Sequence, residues 1–210
     1  HCSEGNYAII MNGPRGWSGP EYAQGWSFNV PTEEFYNSFE EGDSRRDATV
    51  LDIEAFAAAT GASYTEGYDH TGYFNNKYIP RAGESGGQTE LNYLTNFRII
   101  RYSDVLLMAA EAYNRGGIDD GLAQEFLNRV RRRAFGGDDN DISASGSALT
   151  DAIWEERKFE LSLEGHRFFD LVRTGRASSL IAGFVEGKHE VFPIPQQEVD
   201  ISGLTQNAGY

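Results

Sequence analysis

Aromatic rings set among glycines, with arginine and aspartate beside them, are the first residues in this chain whose types suggest chemistry. More than half of the aromatic residues precede Pro80, interleaved with glycines such as Gly13, Gly16, Gly19, Gly25, Gly61, Gly67 and Gly72. These loops carry Arg15, Trp17 and Tyr22, then Tyr64, Tyr68, Asp69 and Tyr73. A pyranose has an apolar face rimmed by hydroxyls, so recognising one takes flat rings for stacking and amide, carboxylate or guanidinium groups for hydrogen bonds. The seven residues supply both and are the candidate ligand-binding set. Each ring adds roughly 1 kcal/mol beyond burial, so a shallow site needs several rings acting together. Trp26 and Phe28, beside a Pro-Thr element, and Trp154 further on, are read as packing.

A second group invites a catalytic reading. Carboxylates and a histidine crowd the stretch from Glu156 to Arg173. Their spacing argues against it. Arg157 and Glu160, Glu164 and Arg167, Arg167 and Asp170, and Asp170 and Arg173 are each three apart. On a helix that spacing puts opposite charges on one face, so a charge ladder that pins helix packing is expected. His166 has no partner that the sequence identifies, and general-base work needs a partner and a cleft. Glycosidase chemistry needs two carboxyl groups across a sugar bond, and among 32 acids no pair stands out.

Composition narrows the classes. Hydrophobic residues make up 40% and charged residues 24%, as in a folded globular chain. The formal charge of -14 repels polyanions, so nucleic acid is not an expected partner. Arg129, Arg131, Arg132 and Arg133 lie inside an amphipathic helical pattern and are read as a solvated helix face. The acidic run Asp138-Asp139-Asn140-Asp141 lacks the glycine and terminal glutamate of a calcium loop, so no metal site is expected there. A single cysteine, Cys2, excludes an intrachain disulfide and a cysteine-based zinc cluster. No cofactor is expected. No apolar run is long enough to span a membrane, and this stretch of chain lacks the charged start and apolar core expected of a signal peptide.

The elements that would position these residues fall into two stretches. No proline lies between Pro80 and Pro193, which leaves room for long helices. Before Pro80, Thr32 is placed to cap a short helix with Phe35, Tyr36 and Phe39 on its apolar face. A second short helix is expected over Ile53–Thr60, stopped by Gly61. From Ile99, the residues Val105, Leu106, Met108, Ala109, Ala112 and Tyr113 recur at helical intervals until Gly116-Gly117. Asp119 and Asp120 then start a helix with Leu122, Ala123, Phe126, Leu127, Val130 and Ala134 on one face. Together they form a helical hairpin about the size of a ~34-residue tetratricopeptide unit. A third helix is expected from Thr150 through Leu163, and a shorter one beyond Gly165 carries Phe168, Phe169, Leu171 and Val172. Phe192 and Ile194 are expected to lie against the helices from an extended Pro193-Ile194-Pro195 stretch. The fold class is therefore mostly α, tetratricopeptide-like hairpins with long loop-rich insertions. Residues 1-95 read as a loop-rich aromatic segment and 96-210 as a helical one, within a single unit.

Four stretches in order resemble the SusD/RagB family of nutrient-binding lipoproteins. They are the run from Arg98 to Asn114, Leu127-Asn128-Arg129-Val130-Arg131-Arg132-Arg133-Ala134, the run from Glu156 to Gly175, and Phe192 to Val199 with Gln206-Asn207-Ala208-Gly209-Tyr210. Weaker similarity extends through Val30–Phe35 and Asp43–Thr49. The resemblance implies a non-catalytic, surface-exposed protein of the outer membrane that binds oligosaccharide and delivers it to a SusC-like TonB-dependent transporter. It also implies a lipid anchor and an amino-terminal half outside this chain, which would make the chain a carboxy-terminal portion. The other readings are a tetratricopeptide-like protein-interaction module without glycan binding and, last, a glycoside hydrolase.

Overall fold

The computed structural model describes residues 7–85 and 91–210. Cys2 lies outside them. The chain divides into two compact units, His1–Glu164 and Gly165–Tyr210. In chain order the helices and strands are α1 (Glu33–Asn37), α2 (Arg45–Thr49), β1 (Val50–Asp52), α3 (Ile53–Thr60), β2 (Tyr73–Asn75), α4 (Tyr102–Arg115), α5 (Asp120–Phe135), α6 (Gly146–Glu160), α7 (Arg167–Arg173), α8 (Ala177–Leu180) and α9 (Gln196–Ser202). The fold is mostly helical, as the hydrophobic periodicity predicts.

Helix starts follow local capping chemistry. The Thr32 hydroxyl accepts from Phe35 N at 3.1 Å, Asp52 from Ala55 N at 2.9 Å and Asp119 from Leu122 N at 3.0 Å. Each side chain satisfies a backbone donor that the first helical turn leaves unpaired. Gly61 and Gly136 end α3 and α5 in the left-handed conformation that glycine adopts without penalty.

In the first unit α4, α5 and α6 enclose one core of Leu106, Leu107, Ala110, Ala123, Leu127, Val130, Leu149 and Ile153. Burying a leucine there removes it fully from water, so Leu127→Ala is expected to cost about 2–5 kcal/mol in a denaturant titration. The buried stripe of α4 differs from the expected one. It runs through Ser103, Asp104, Leu106, Leu107, Ala110, Glu111 and Asn114, while Val105, Met108 and Ala112 are exposed. The reason is polar: Asp104 receives Arg157 Nη1 at 2.8 Å, and the Asn114 amide donates to Asp120 and to the Gly146 carbonyl. Burial of these groups is offset by hydrogen bonds, so they share the buried face with Leu106, Leu107 and Ala110 while Val105 and Met108 are left outside.

Two further departures concern the charges. Helix α6 spans Gly146–Glu160 and does not reach Leu163, whose backbone is left-handed with φ 62. The ladder cannot run through 164 on one helix. Its Asp170–Arg173 rung forms at 2.7 Å within the second unit, but Glu160 and Glu164 take partners from distant parts of the chain. The arginine run of α5 is only in part a solvated face, with Arg129 and Arg133 exposed. Arg131 is buried between Glu40 and Glu156, and Arg132 pairs with Glu125 and Asp141.

The loop-rich front of the first unit packs around a short antiparallel ribbon. Val50, Leu51 and Asp52 of β1 face Asn75, Phe74 and Tyr73 of β2. Beneath the loops lie Trp17, Tyr22, Leu51, Ile53, Phe74 and Ile79. Glycine is required where the loops cross: a Cβ on Gly25 would fall 2.3 Å from Gly13 Cα. That approach lets Gly25 N donate to Pro14 O and Ser27 N to Gly13 O, both at 2.8 Å.

In the second unit the chain end ties down the proline segment. Pro193 and Pro195 lack backbone donors, so Ile194 alone offers both groups between them. The Gln206 side chain matches both, accepting from Ile194 N and donating to Ile194 O at 2.7 Å each. Asn207 donates to Phe192 O at 2.6 Å and Tyr210 to Val191 O at 2.9 Å. The Phe192 ring itself stays exposed, against the expected packing.

Candidate ligand-binding surface

The seven candidate residues separate into a buried and an exposed set. Trp17 and Tyr22 are 8% and 4% exposed. Their rings meet each other edge-on, both meet Phe56, and Arg81 covers the Tyr22 ring. Those faces are occupied, so the two residues are core and not ligand platforms. Tyr73 is half-buried and stacked on Tyr36 with centroids 4.5 Å apart. Tyr64 is also half-buried, tilted against His70. Burial pushes the hydroxyls of Tyr36, Tyr64 and Tyr73 above their ordinary pKa, and neighbouring acids such as Glu54 beside Tyr64 and Asp52 beside Tyr73 add to it. They remain neutral donors and acceptors at neutral pH.

Tyr68 is the opposite case, 92% exposed on the loop between α3 and β2. Asp69 beside it is exposed, with a left-handed backbone at φ 55. This loop is laced to the one carrying Arg15. Thr65 N donates to Arg15 O at 2.8 Å, Ser63 and Ser18 exchange backbone bonds, and a Cβ on Gly67 would lie 2.7 Å from Ser27 Cβ. Gly67, the residue before Tyr68, thus packs directly on Ser27, the residue before Phe28. Phe28 is 49% exposed, Tyr7 is exposed, and Tyr7 stacks on the half-buried Trp26 at 5.2 Å. Arg15 donates from Nη2 to Trp26 O at 3.0 Å, which holds its guanidinium beside these rings.

Tyr68, Phe28 and Tyr7 are exposed on these two laced loops, with the half-buried Trp26 stacked on Tyr7 and with Arg15 and Asp69 on the same loops. Phe28 was expected to pack. The signal in the sequence is its place between Ser27 and Asn29, small polar residues that take up left-handed backbone, here at φ 58 and 53. That turn carries Phe28 outward.

The acids of the tempting motif sit elsewhere in the first unit and are consumed by guanidinium groups. Glu156 accepts from Arg45 at 2.5 Å and from Arg131 at 2.8 Å. Glu160 accepts from Arg45, Arg101 and Arg133, and Glu164 from Lys77 and Arg101. Burial pushes Glu160 up, but the Arg133 and Arg101 hydrogen bonds outweigh it and hold the carboxyl at about 2. For Glu164 burial is likewise outweighed, by Arg101 and Lys77, and its pKa falls. An acid held this low is not a proton donor at neutral pH. Glu164 does line a polar cleft, yet both its oxygens are taken. Among the described residues no group of three metal-ligating side chains gathers, and no helix is long and apolar enough to cross a membrane.

The depressed carboxyl sets an acid limb for stability. Its folded pKa of about 2 lies below the ordinary 4.5, so the stability it contributes is present above 4.5 and lost as pH falls toward 2. The effect is on the order of 3 kcal/mol. Glu156, which burial pushes up against the pull of Arg45 and Arg131, offsets part of it. Denaturant midpoints measured from pH 7 to 2 should fall below pH 4.5, and Glu160→Gln should flatten that fall; midpoints that rise on acidification contradict the account.

Comparison with known proteins agrees with this architecture. The model of the SusD family matches residues 3–186. SusD-like protein P2 of Formosa agariphila is 29% identical over 98% of this chain and 45% of its own length. A solved laminarin binding SusD-like protein superposes with a TM-score of 0.86 at 42% identity, covering 99% of this chain and 45% of that one. Surface glycan-binding protein A from Bacteroides thetaiotaomicron, solved in complex with laminarihexaose, gives 0.84 at 33% identity over 96% of this chain and 46% of that one. The chain therefore spans about half the length of these relatives. A helical body built on the α4–α5–α6 core, matched at these identities along nearly its whole length, makes the chain a member of the SusD family.

Proposed function

We propose that the protein is a non-catalytic, surface-exposed glycan-binding protein that uses the Tyr68–Phe28–Tyr7–Trp26 surface to hold oligosaccharide. The observation that carries this reading is the gathering of solvent-facing rings on two laced loops, with Arg15 and Asp69 at their edge. Sugar rings stack on such faces while the charged groups take the hydroxyls. Tyr64 and Tyr73 flank the same front, with Tyr36 and His70 beside them. Laminarin is the proposed ligand class, since a 42% identical relative binds it.

Delivery to a SusC-like TonB-dependent transporter, from an outer-membrane position held by a lipid anchor, is part of the same proposal. It rests on family membership. The absence of catalysis is supported by the state of the motif acids, each engaged by two or three cations.

Calorimetric titration with laminarihexaose, with chromatography of the sugar afterwards, tests the reading. Saturable binding with the hexaose recovered intact is expected. Shortened products, or no binding of laminarihexaose or laminarin, overturn it.

A further inference from the structure

We propose that a polar cleft on the first unit is a second binding site, and that its ligand is an oxyanion group, a carboxylate or a sulfate. The cleft encloses ≈ 440 Å³ between α2, the approach to α4, the end of α5 and the segment after α6. Five cationic side chains line it: Arg45, Lys77, Arg98, Arg101 and Arg133. Two acids, Glu160 and Glu164, line it with them. Asp43 and Glu156 hold Arg45 as well, and counting them still leaves one cation in excess. That excess stands in a chain of formal charge -14, so the cleft is a local reversal of the general field.

Charge alone does not make a site; spare donors do. The acids here are spent within the protein, as are Arg45, Lys77 and Arg101, whose polar atoms all reach Asp43, the three glutamates, Ser103 or backbone carbonyls. Arg98 and Arg133 differ. Among the described residues Arg133 donates one hydrogen bond, from Nη2 to Glu160 at 2.5 Å, and its side chain is 57% exposed. Arg98 lies over the Tyr78 ring at 5.7 Å, and its guanidinium donates to no group among the described residues. A guanidinium carries five donors in a fork that fits two oxyanion oxygens. Two such forks therefore open into a cavity of small-molecule size. No carboxylate in the cleft is left with a free face to pair with them.

An adjoining hollow of ≈ 250 Å³ shares Arg101 and Arg133 and adds Arg129, so a ligand larger than one ion has a basic track to follow. The oxyanion has two sources, a free inorganic anion or an acid borne on a sugar. The site shares no residue with the aromatic surface, and the proposal does not depend on the glycan reading.

Titration with sodium sulfate, sodium glucuronate and glucose at constant ionic strength tests it, read by calorimetry on the wild type, R98Q, R133Q and the double variant. Saturable binding of an anion, with glucose silent and affinity reduced at least about tenfold in R98Q/R133Q, is the expected result. Sulfate binding at least as well as glucuronate identifies a free anion; glucuronate preferred over sulfate identifies a sugar acid. Both substituted side chains border solvent, and a cooperative thermal transition without ligand confirms that the variants fold, with R133Q at a lower midpoint because Glu160 loses one partner; should the double variant fail to fold, each single variant must still weaken the anion. No saturable binding of either anion, or equal affinity in all variants, overturns the proposal. Laminarihexaose titrated into R98Q/R133Q is expected to bind as in the wild type, which separates this site's failure from that of the glycan surface.

Discussion

Glu156→Ala is expected to destabilise the protein by roughly 3–5 kcal/mol. Glu156 is 1% exposed and sits between two buried guanidiniums, Arg45 and Arg131. Its loss leaves both guanidiniums buried with one partner fewer. Arg45 retains Asp43 and Glu160, but among the described residues Arg131 retains the half-exposed Glu40 carboxylate, the Asn140 carbonyl and the Phe135 ring. Breaking one member of a buried ion network costs far more than the network contributes over an apolar replacement, because the remaining charge stays in low dielectric. The control is Asp47→Ala. Asp47 pairs with Arg46 at 2.9 Å with its side chain 72% exposed, and such pairs contribute about 0–1 kcal/mol. Denaturant titrations of the two variants should differ severalfold in lost stability; equal losses contradict the account.

Tyr68→Ala is expected to weaken laminarihexaose binding about tenfold, and Tyr68→Ala with Phe28→Ala by about a hundredfold if the two rings act independently. Neither ring is in the core, so thermal midpoints should hold. Trp17→Ala should behave the other way. Its ring fills the cluster with Tyr22, Leu51, Ile53, Phe74 and Ile79, so removal costs about 3–5 kcal/mol and disturbs binding only through the fold. Calorimetry and thermal melts on the three variants distinguish ligand platforms from packing. Full affinity in Tyr68→Ala/Phe28→Ala would move the site away from these loops.

Where structure depends on neighbours in the chain, the sequence was readable. The Ile53–Thr60 helix with its Gly61 stop, the Thr32 and Asp119 caps and the α4–α5 hairpin rest on local rules, and those hold in the folded chain. The buried stripe of α4 did not follow periodicity because Asp104 and Glu111 are buried with charged partners; Arg157, the partner of Asp104, comes from 53 residues away. The charge ladder assumed one continuous helix, and the left-handed Leu163 breaks it. Strands of three residues, such as β1 and β2, are too short to show alternation.

The candidate site divided for a related reason. Trp17 and Tyr68 are both aromatic residues in glycine-rich loops, and nothing local tells them apart. Burial of Trp17 follows from Phe56 on α3, and exposure of Tyr68 from the Gly67–Ser27 contact between two loops. Such long-range contacts set which ring faces water. Gly67 is legible afterwards as the residue whose missing Cβ allows the loops to meet.

Hydrogen–deuterium exchange with and without saturating laminarihexaose tests the glycan reading most directly, since it locates the ligand without altering the protein. Slowed exchange confined to the backbone of residues 7–29 and 62–70, with α5 and α6 unchanged, is the predicted result. Protection centred on the α4–α5 hairpin, or no protection anywhere at a saturating sugar concentration, would contradict it.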